Sequence, residues 1–158
     1  MKKMSPLLAL SISTAVLCGI WAVFASLVGL ISWAGFAGCT TYFSCGAHGK
    51  LGLKKTIFPN MAGVLCGMSI IALSNVVPAL GQWGVWCAVL TFVMCIISRF
   101  GLFDFCPGTF MGCFSTFAAG GDWKLLVPSL LLGALLGVAC DFGGIWLRKV
   151  VNGKTAAH

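Results

Sequence analysis

The sequence predicts an all-α membrane protein with six transmembrane segments, arranged as two inverted three-helix repeats in which elements 2 and 5 are short. Three observations predict this fold class: the composition, the spacing of the charged residues and a short motif that occurs twice. The chain has 158 residues, of which 59% are hydrophobic and 8% charged, and its mean hydropathy is +1.04. A soluble domain of this size lacks the interior to bury so much apolar surface. We therefore expect one integral membrane domain over residues 1–158.

The first charge-free run lies between Lys3 and His48 and contains 44 residues. At about 20 residues per crossing, this run is long enough for two membrane segments. The first helix is predicted from Leu7 to about Ile31. The second element, about Gly35 to Gly46, covers only about 20 Å of a membrane core roughly 30 Å thick. Such a short element must be surrounded by protein or line a water-filled cavity.

The second charge-free run, residues 56–98, contains 43 residues and follows a basic segment, Ala47–Thr56, that is predicted to be a loop. A third helix is predicted from Pro59, which suits a first helical turn, to about Ser74. A turn region over Asn75 and Pro78–Gly84 should follow it. The last three elements are predicted at Trp83–Ser98, at Cys106–Gly120, which is short, and at Leu125–Trp146. A basic tail is expected after Trp146.

The short second element has a second copy in the chain. The segment Gly38-Cys39-Thr40-Thr41-Tyr42-Phe43-Ser44-Cys45-Gly46 aligns with Gly112-Cys113-Phe114-Ser115-Thr116-Phe117-Ala118-Ala119-Gly120, with glycine at both ends of each. Each copy precedes a proline-containing helix with a glycine pair four residues apart, Gly63 and Gly67 or Gly133 and Gly137. The repeat halves are about residues 5–75 and 82–150. The alternative is a chance match between two glycine-rich apolar segments.

The basic residues predict the orientation. Six crossings with the N-terminus inside place Lys2, Lys3, Lys50, Lys54, Lys55, Arg99, Arg148, Lys149 and Lys154 on the cytoplasmic side and only Lys124 outside. This bias is what the positive-inside rule requires. Three crossings per half give the halves opposite orientations, the arrangement that puts a binding site or pore between them. Both termini are thus expected in the cytoplasm of a multi-pass membrane protein.

Hydroxyl side chains in the two short elements are the first candidates for a solute path, because they replace part of a solute's hydration without a buried charge. These residues are Thr40, Thr41, Ser44, Thr109, Ser115 and Thr116. Phe43 and Phe117 would form an apolar constriction or a stacking clamp. The alternative is that serine, threonine and glycine here serve only helix packing.

Two titratable residues are candidates for a proton or ion site. Asp141 is the only acid well inside a predicted membrane helix, where ionisable groups commonly mark function. The alternative is an interfacial pair with Arg148. His48 follows the first short element and belongs to the residue type whose charge changes near neutral pH, so it is a candidate to gate an inner mouth. The alternative is an ordinary loop histidine.

The sequence offers little material for other functions. Three acids and two histidines leave no acid–base constellation, so no enzyme, catalytic residue or cofactor is expected. The nine cysteines contain no CxxC pair and lie in apolar runs, so we expect small buried residues and no metal site. The net charge of +7 is explained by cytoplasmic loops rather than by nucleic acid.

The motifs Gly38–Phe43 and Cys106–Phe117, together with the length, resemble the YcdZ-like bacterial inner-membrane proteins, a family of unknown function. This resemblance covers essentially the whole chain and implies an inner-membrane location, but it supplies no activity.

From the residues we expect a channel or transporter for a small neutral or weakly polar solute, in contact with the lipid bilayer and assembled as a homodimer or homotrimer. The alternative is a structural or regulatory membrane subunit without its own path.

Overall fold

The computed structural model describes residues 3–76 and 83–155, and within these ranges it contains six α-helices and no strand. The helices are α1 (Pro6–Leu27), α2 (Ser32–Ser44), α3 (Gly49–Val76), α4 (Trp83–Ile97), α5 (Cys106–Ala118) and α6 (Trp123–Thr155). The all-α class and the shortness of elements 2 and 5 are confirmed. Helices α1, α3 and α6 are long and apolar enough to cross a membrane. The predicted turn residues Pro78 to Gln82 lie outside the described ranges, as does Lys2.

The prediction of a basic loop over Ala47–Thr56 is wrong, because α3 already begins at Gly49. Lysine and leucine are good helix formers, so most of this segment favours a helix, although Gly52 costs about 1 kcal/mol relative to alanine. The first backbone N–H of α3 also finds a partner, since Gly49 N–H donates to the Tyr42 hydroxyl at 2.8 Å. Pro59 therefore lies inside the helix rather than in its first turn. Prolines are tolerated in membrane helices where neighbouring helices satisfy the freed backbone groups.

Helix α6 is longer at both ends than predicted. It begins at Trp123, where the Asp122 carboxylate accepts backbone N–H groups of Lys124 and Leu125 at 3.1 and 3.3 Å. This is an N-cap, which stabilises the first turn. The helix continues to Thr155, so Arg148 and Lys149 belong to it and not to a separate tail.

Each short helix packs mainly on a long helix of the other half of the chain. Helix α2 makes its most extensive contacts with α6, and α5 makes its most extensive contacts with α3. Helix α1 also packs on α6. The two short helices have 13 residues each, and residue i of α2 corresponds to residue i + 74 of α5.

Glycines bring the backbones together at equivalent places in both pairs. A Cβ atom at Gly38 would collide with the Leu130 carbonyl oxygen, and one at Gly112 would collide with the Asn60 carbonyl oxygen. Further along, a Cβ at Gly137 would lie 2.7 Å from the Tyr42 Cβ, and one at Gly67 would lie 2.8 Å from the Thr116 Cβ. The same contacts thus occur twice, with α2 related to α5 and α3 related to α6.

The facing residues on the long helices obey the same correspondence. A Cβ at Gly133 would collide with the Gly35 carbonyl oxygen, and one at Gly63 would collide with the Thr109 carbonyl oxygen. Residue i of α3 therefore corresponds to residue i + 70 of α6 along these contacts. Only glycine permits backbones to approach this closely. The glycine pairs that the sequence repeat singled out are the points where the two halves meet.

The outer surface of the bundle is apolar. Large exposed hydrophobic side chains include Leu27 on α1, Leu65 on α3, Phe92 on α4, Phe114 on α5 and Trp146 on α6. A soluble protein would not expose this much contiguous apolar area. The surface suits contact with lipid chains.

Candidate functional site

The structure separates the six predicted hydroxyl residues into two groups. Thr41, Thr109, Ser115 and Thr116 are buried, whereas Thr40 and Ser44 are exposed on the outer face of α2. The exposed pair continues a stripe that includes Phe36, in which each member lies four positions after the last, and so faces away from α6. The structure therefore does not bring Thr40 and Ser44 to the other four.

Helices α2, α3 and α5 meet around Gly108. A Cβ at Gly108 would lie 3.1 Å from the Thr41 methyl carbon and 3.1 Å from the Pro59 Cβ. Asn60 and Thr109 follow directly along α3 and α5. We use the name polar seam for five buried polar side chains of α2, α3 and α5: Thr41, Asn60, Thr109, Ser115 and Thr116.

Some polar atoms of the seam have partners and others do not. The hydroxyls of Thr41 and Thr116 each donate to the carbonyl oxygen four residues earlier, at 2.9 Å. In contrast, Asn60 Oδ1, Thr109 Oγ1 and Ser115 Oγ are buried without a hydrogen-bond partner, as are Ser74 Oγ and Trp86 Nε1 elsewhere on α3 and α4. A buried polar atom without a partner costs about 1–3 kcal/mol. The seam therefore carries unused hydrogen-bonding capacity.

Five cavities lie against the described residues, and none of the five is lined by a polar-seam residue. The glycine contacts close this region in the conformation observed. Phe43 lies near the end of α2, with its ring 5.6 Å from the Tyr42 ring. Phe117 lies near the end of α5 and lines a cavity with Ile71 and Gly120. The two phenylalanines are thus near opposite ends of the bundle and do not face each other.

A charged cluster lies where α2 ends. Asp141 Oδ2 accepts a hydrogen bond from the Tyr42 hydroxyl at 2.9 Å and lies 2.9 Å from His48 Nδ1. Asp141 is only 8% exposed, whereas the His48 side chain is 76% exposed. We call Tyr42, His48 and Asp141 the Asp141 cluster. The sequence singled out His48 and Asp141 separately but not their pairing, and it missed Tyr42.

The Asp141 cluster borders a cavity of about 390 Å³. Its lining combines one acid and two basic residues with apolar side chains: Pro6, Leu10, Asp141, Gly144, Ile145, Arg148, Lys149 and Asn152. The first residues of the chain are tied to this wall, because Met4 N–H donates to Asn152 Oδ1 at 2.8 Å. In the described residues Asp141 pairs with His48 rather than with Arg148. This end of the bundle can therefore receive a polar or charged solute.

Three cysteines that are far apart in the sequence also come together. The Sγ atoms of Cys18, Cys39 and Cys140 all lie within 4.8 Å of one another. They come from α1, α2 and α6, so no local spacing in the sequence could have revealed the group. This set is the candidate metal-binding group of the described residues, and its chemistry is considered below.

The chain matches one protein family and several individual proteins. Residues 11–145 match the family described as "Protein of unknown function (DUF1097)". Inner membrane protein YcdZ of Escherichia coli strain K12 is 45% identical, over 97% of this chain and 94% of that protein. Inner membrane protein YcdZ of Salmonella typhimurium is 42% identical, over 92% of each. Uncharacterized protein YahC of Escherichia coli strain K12 is 26% identical, over 94% of this chain and 97% of that protein.

No solved structure matches the chain. The polar seam and the Asp141 cluster lie within residues 11–145, the part of the chain that the family matches.

Proposed function

We propose that this chain, which belongs to the DUF1097 family, is an inner-membrane channel or transporter for a small neutral or weakly polar solute. The observation that carries the proposal is a set of buried oxygen atoms on α3 and α5 that have no hydrogen-bond partner: Asn60 Oδ1, Thr109 Oγ1 and Ser115 Oγ. In a membrane interior no lipid group can satisfy such atoms. A solute with hydroxyl, amide or amine groups supplies the missing partners as it passes.

The doubled glycine contacts support an inverted repeat. Helices α2 and α5 occupy equivalent positions against α6 and α3, and an odd number of crossings in each half gives the halves opposite orientations. Six crossings also keep nearly all basic residues on one side. Inverted repeats place their substrate site at the interface between the halves, which is where the polar seam lies.

The Asp141 cavity is the proposed inner entrance. Arg148 and Lys149 line it and belong to the cytoplasmic set in this topology. Asp141 and His48 are the proposed proton or ion site at this mouth, with the Tyr42 hydroxyl holding the Asp141 carboxylate in place. The observed seam is closed, so passage requires α2 or α5 to move away from its long partner helix.

The direct test is solute-driven swelling of proteoliposomes, measured by light scattering with neutral solutes from formamide to glycerol. The variants Thr41→Val, Thr109→Val and Ser115→Ala remove seam hydroxyls with little change in volume. We expect flux above that of empty liposomes for the unmodified chain and reduced flux in the three variants. The matched control is Ser44→Ala on the exposed face of α2, which should leave flux unchanged.

Two results would contradict the proposal. Flux equal to that of empty liposomes for every solute would favour a structural or regulatory subunit without a path. Flux that is present but equal in all seam variants would show that the solute passes elsewhere.

Topology and assembly are tested separately. Reporter fusions after Lys50 and after Gly121 should report opposite sides of the membrane, and a common side would refute the six-crossing topology. The proposed homo-oligomer would shield the short helices from lipid. Its test is the mass of the protein–detergent complex by light scattering, where a monomer would refute it.

A further inference from the structure

Cys18, Cys39 and Cys140 form a compact thiol group inside the helix bundle. Their Sγ atoms lie within 4.8 Å of one another, and they come from three different helices. Cys39 and Cys140 are buried, and Cys18 is partly buried. Among the described residues no other set of three histidine, cysteine or acidic side chains converges in this way. The convergence of one residue type from three helices points to a shared ligand.

We propose that these three sulfur atoms bind a soft monovalent metal ion, with Cu(I) as the representative species. Sulfur ligands select soft ions such as Cu(I). Zinc normally takes four ligands in a tetrahedral site, and among the described residues no fourth histidine, cysteine or acidic ligand atom joins the three sulfurs. Asp141 follows Cys140 directly, but its Oδ2 atom already contacts the Tyr42 hydroxyl and His48 Nδ1.

The binding step releases protons but transfers no electron. Cysteine sulfur binds a metal as the thiolate, so each ligating thiol gives up its proton. Three thiols and one Cu(I) therefore give a complex of net charge −2, because three thiolates carry −3 and the ion +1, and three protons go to water. No oxidant or reductant is needed.

The helix packing holds the three cysteines in place before a metal arrives. The Ser13 hydroxyl donates to the Cys140 carbonyl oxygen at 3.0 Å and so fixes α1 against α6. Gly38 fixes α2 against α6 one residue before Cys39. Three sulfurs at about 2.3 Å from one ion are about 4 Å apart. The observed group therefore needs a contraction of less than about 1 Å to surround an ion.

The other half of the repeat provides a built-in control. Cys113 occupies the position equivalent to Cys39, and it is equally buried. The position equivalent to Cys140 is Ile70, which packs in one cluster with Cys113. Cys66 packs against the same cluster, but among the described residues no three ligand atoms converge there as they do around Cys39.

The experiment titrates Cu(I) into reduced protein in detergent, without oxygen and against a chromogenic Cu(I) chelator. Exposed Cys87 and Cys95 are replaced by serine in every sample to remove background binding. We expect one tightly held Cu(I) per chain. Loss of a contact that only supports a metal ligand lowers metal affinity about 10- to 100-fold. Cys39→Ser and Cys140→Ser each remove a ligand, so we expect them to lower the Cu(I) affinity by more than this. Cys113→Ser should bind like the parent, and Zn²⁺ should not displace Cu(I).

X-ray absorption on the loaded parent protein tests the site without relying on variants that fold poorly. A first shell of three sulfur atoms supports the site. A shell containing oxygen or nitrogen, or equal Cu(I) affinity in the Cys39→Ser and Cys113→Ser variants, would overturn it. The result is independent of the solute path, because flux and Cu(I) binding are measured on different residues.

Discussion

At one end of the bundle α2 finishes beside Asp141 and His48, and at the other end α5 finishes beside Ile71. The backbone frame is the same at both ends, since Tyr42 packs on Gly137 as Thr116 packs on Gly67. The side chains differ. Tyr42 reaches a carboxylate, whereas the Thr116 hydroxyl bonds only within its own helix, to the Gly112 carbonyl oxygen.

The comparison distinguishes two sets of residues. The glycines hold the fold together, and the side chains beyond them determine the chemistry of each end. Glycine at the crossing points is required in both halves because the backbones touch there. The groups one turn further out are under no such constraint, so one end carries the Asp141–His48 contact and the other carries isoleucine. The two ends would therefore treat a charged solute or an ion differently, although the halves share one architecture.

The largest expected effect on stability comes from adding a methyl group where glycine lets two helix backbones touch. Gly38→Ala and Gly112→Ala each place a methyl group on a backbone carbonyl oxygen that cannot move aside. We expect each to lower the free energy of unfolding by about 3 kcal/mol, measured by thermal unfolding in detergent. Gly19→Ala is the control, because a Cβ at Gly19 meets nothing within 4 Å. A severe effect at Gly38 with none at Gly112 would break the equivalence of the halves.

A smaller but asymmetric effect is expected from the Asp141 cluster. Asp141→Leu leaves the Tyr42 hydroxyl and His48 without their shared acceptor, and we expect a loss of about 2 kcal/mol of stability. The equivalent Ile71→Leu exchanges one apolar side chain for another and should cost less than about 1.5 kcal/mol. The same unfolding measurement checks both, and equal losses would show that the two ends are not energetically distinct.

The polar seam should respond in the opposite direction. Ser115→Ala removes a buried hydroxyl that has no partner, so we expect a gain of about 1 kcal/mol in unfolding free energy. The Thr41 hydroxyl bonds the Ala37 carbonyl oxygen, so Thr41→Val should bring no such gain. Stabilisation by Ser115→Ala together with reduced flux would show that the Ser115 hydroxyl serves transport although it lowers the stability of the fold. A loss of stability would mean that Ser115 already has a partner.

The smallest effect is expected at Tyr42. Tyr42→Phe removes the acceptor of the Gly49 N–H and one donor to Asp141, while the ring still packs on Gly137. We expect a loss of about 1 kcal/mol. Hydrogen exchange of the first turn of α3 should accelerate in this variant and remain unchanged in Phe43→Leu. Unchanged exchange in Tyr42→Phe would show that the hydroxyl does not cap α3.

Much of the fold could be predicted because its determinants are local. Charge-free length and glycine spacing predicted the number of helices, the short second and fifth elements and the glycine pairs. The ends of the helices were harder to predict. The N-terminus of α3 at Gly49 depends on another helix, because the Tyr42 hydroxyl of α2 accepts the Gly49 N–H. Periodicity alone also grouped Thr40 and Ser44 with Thr41, although only the neighbouring α6 decides which face of α2 is buried.

The site was harder to predict because its members meet through the tertiary fold. Asp141 and His48 are 93 positions apart, and Tyr42 joins them only through the packing of α2 on α6. The three clustered cysteines are likewise brought together by three helices. A search for nearby pairs in the sequence cannot find such groups.

The exchange of packing partners also bears on how the chain assembles. Helices α1 and α2 find their main partner in α6, and α3 finds its main partner in α5, so the first three helices have little to pack against without the last three. Two separate polypeptides, one ending after α3 and one starting at α4, should therefore assemble into the complete protein when they are made together. Either one alone should be degraded. A single half should persist only where another chain supplies the long helix on which its short helix packs.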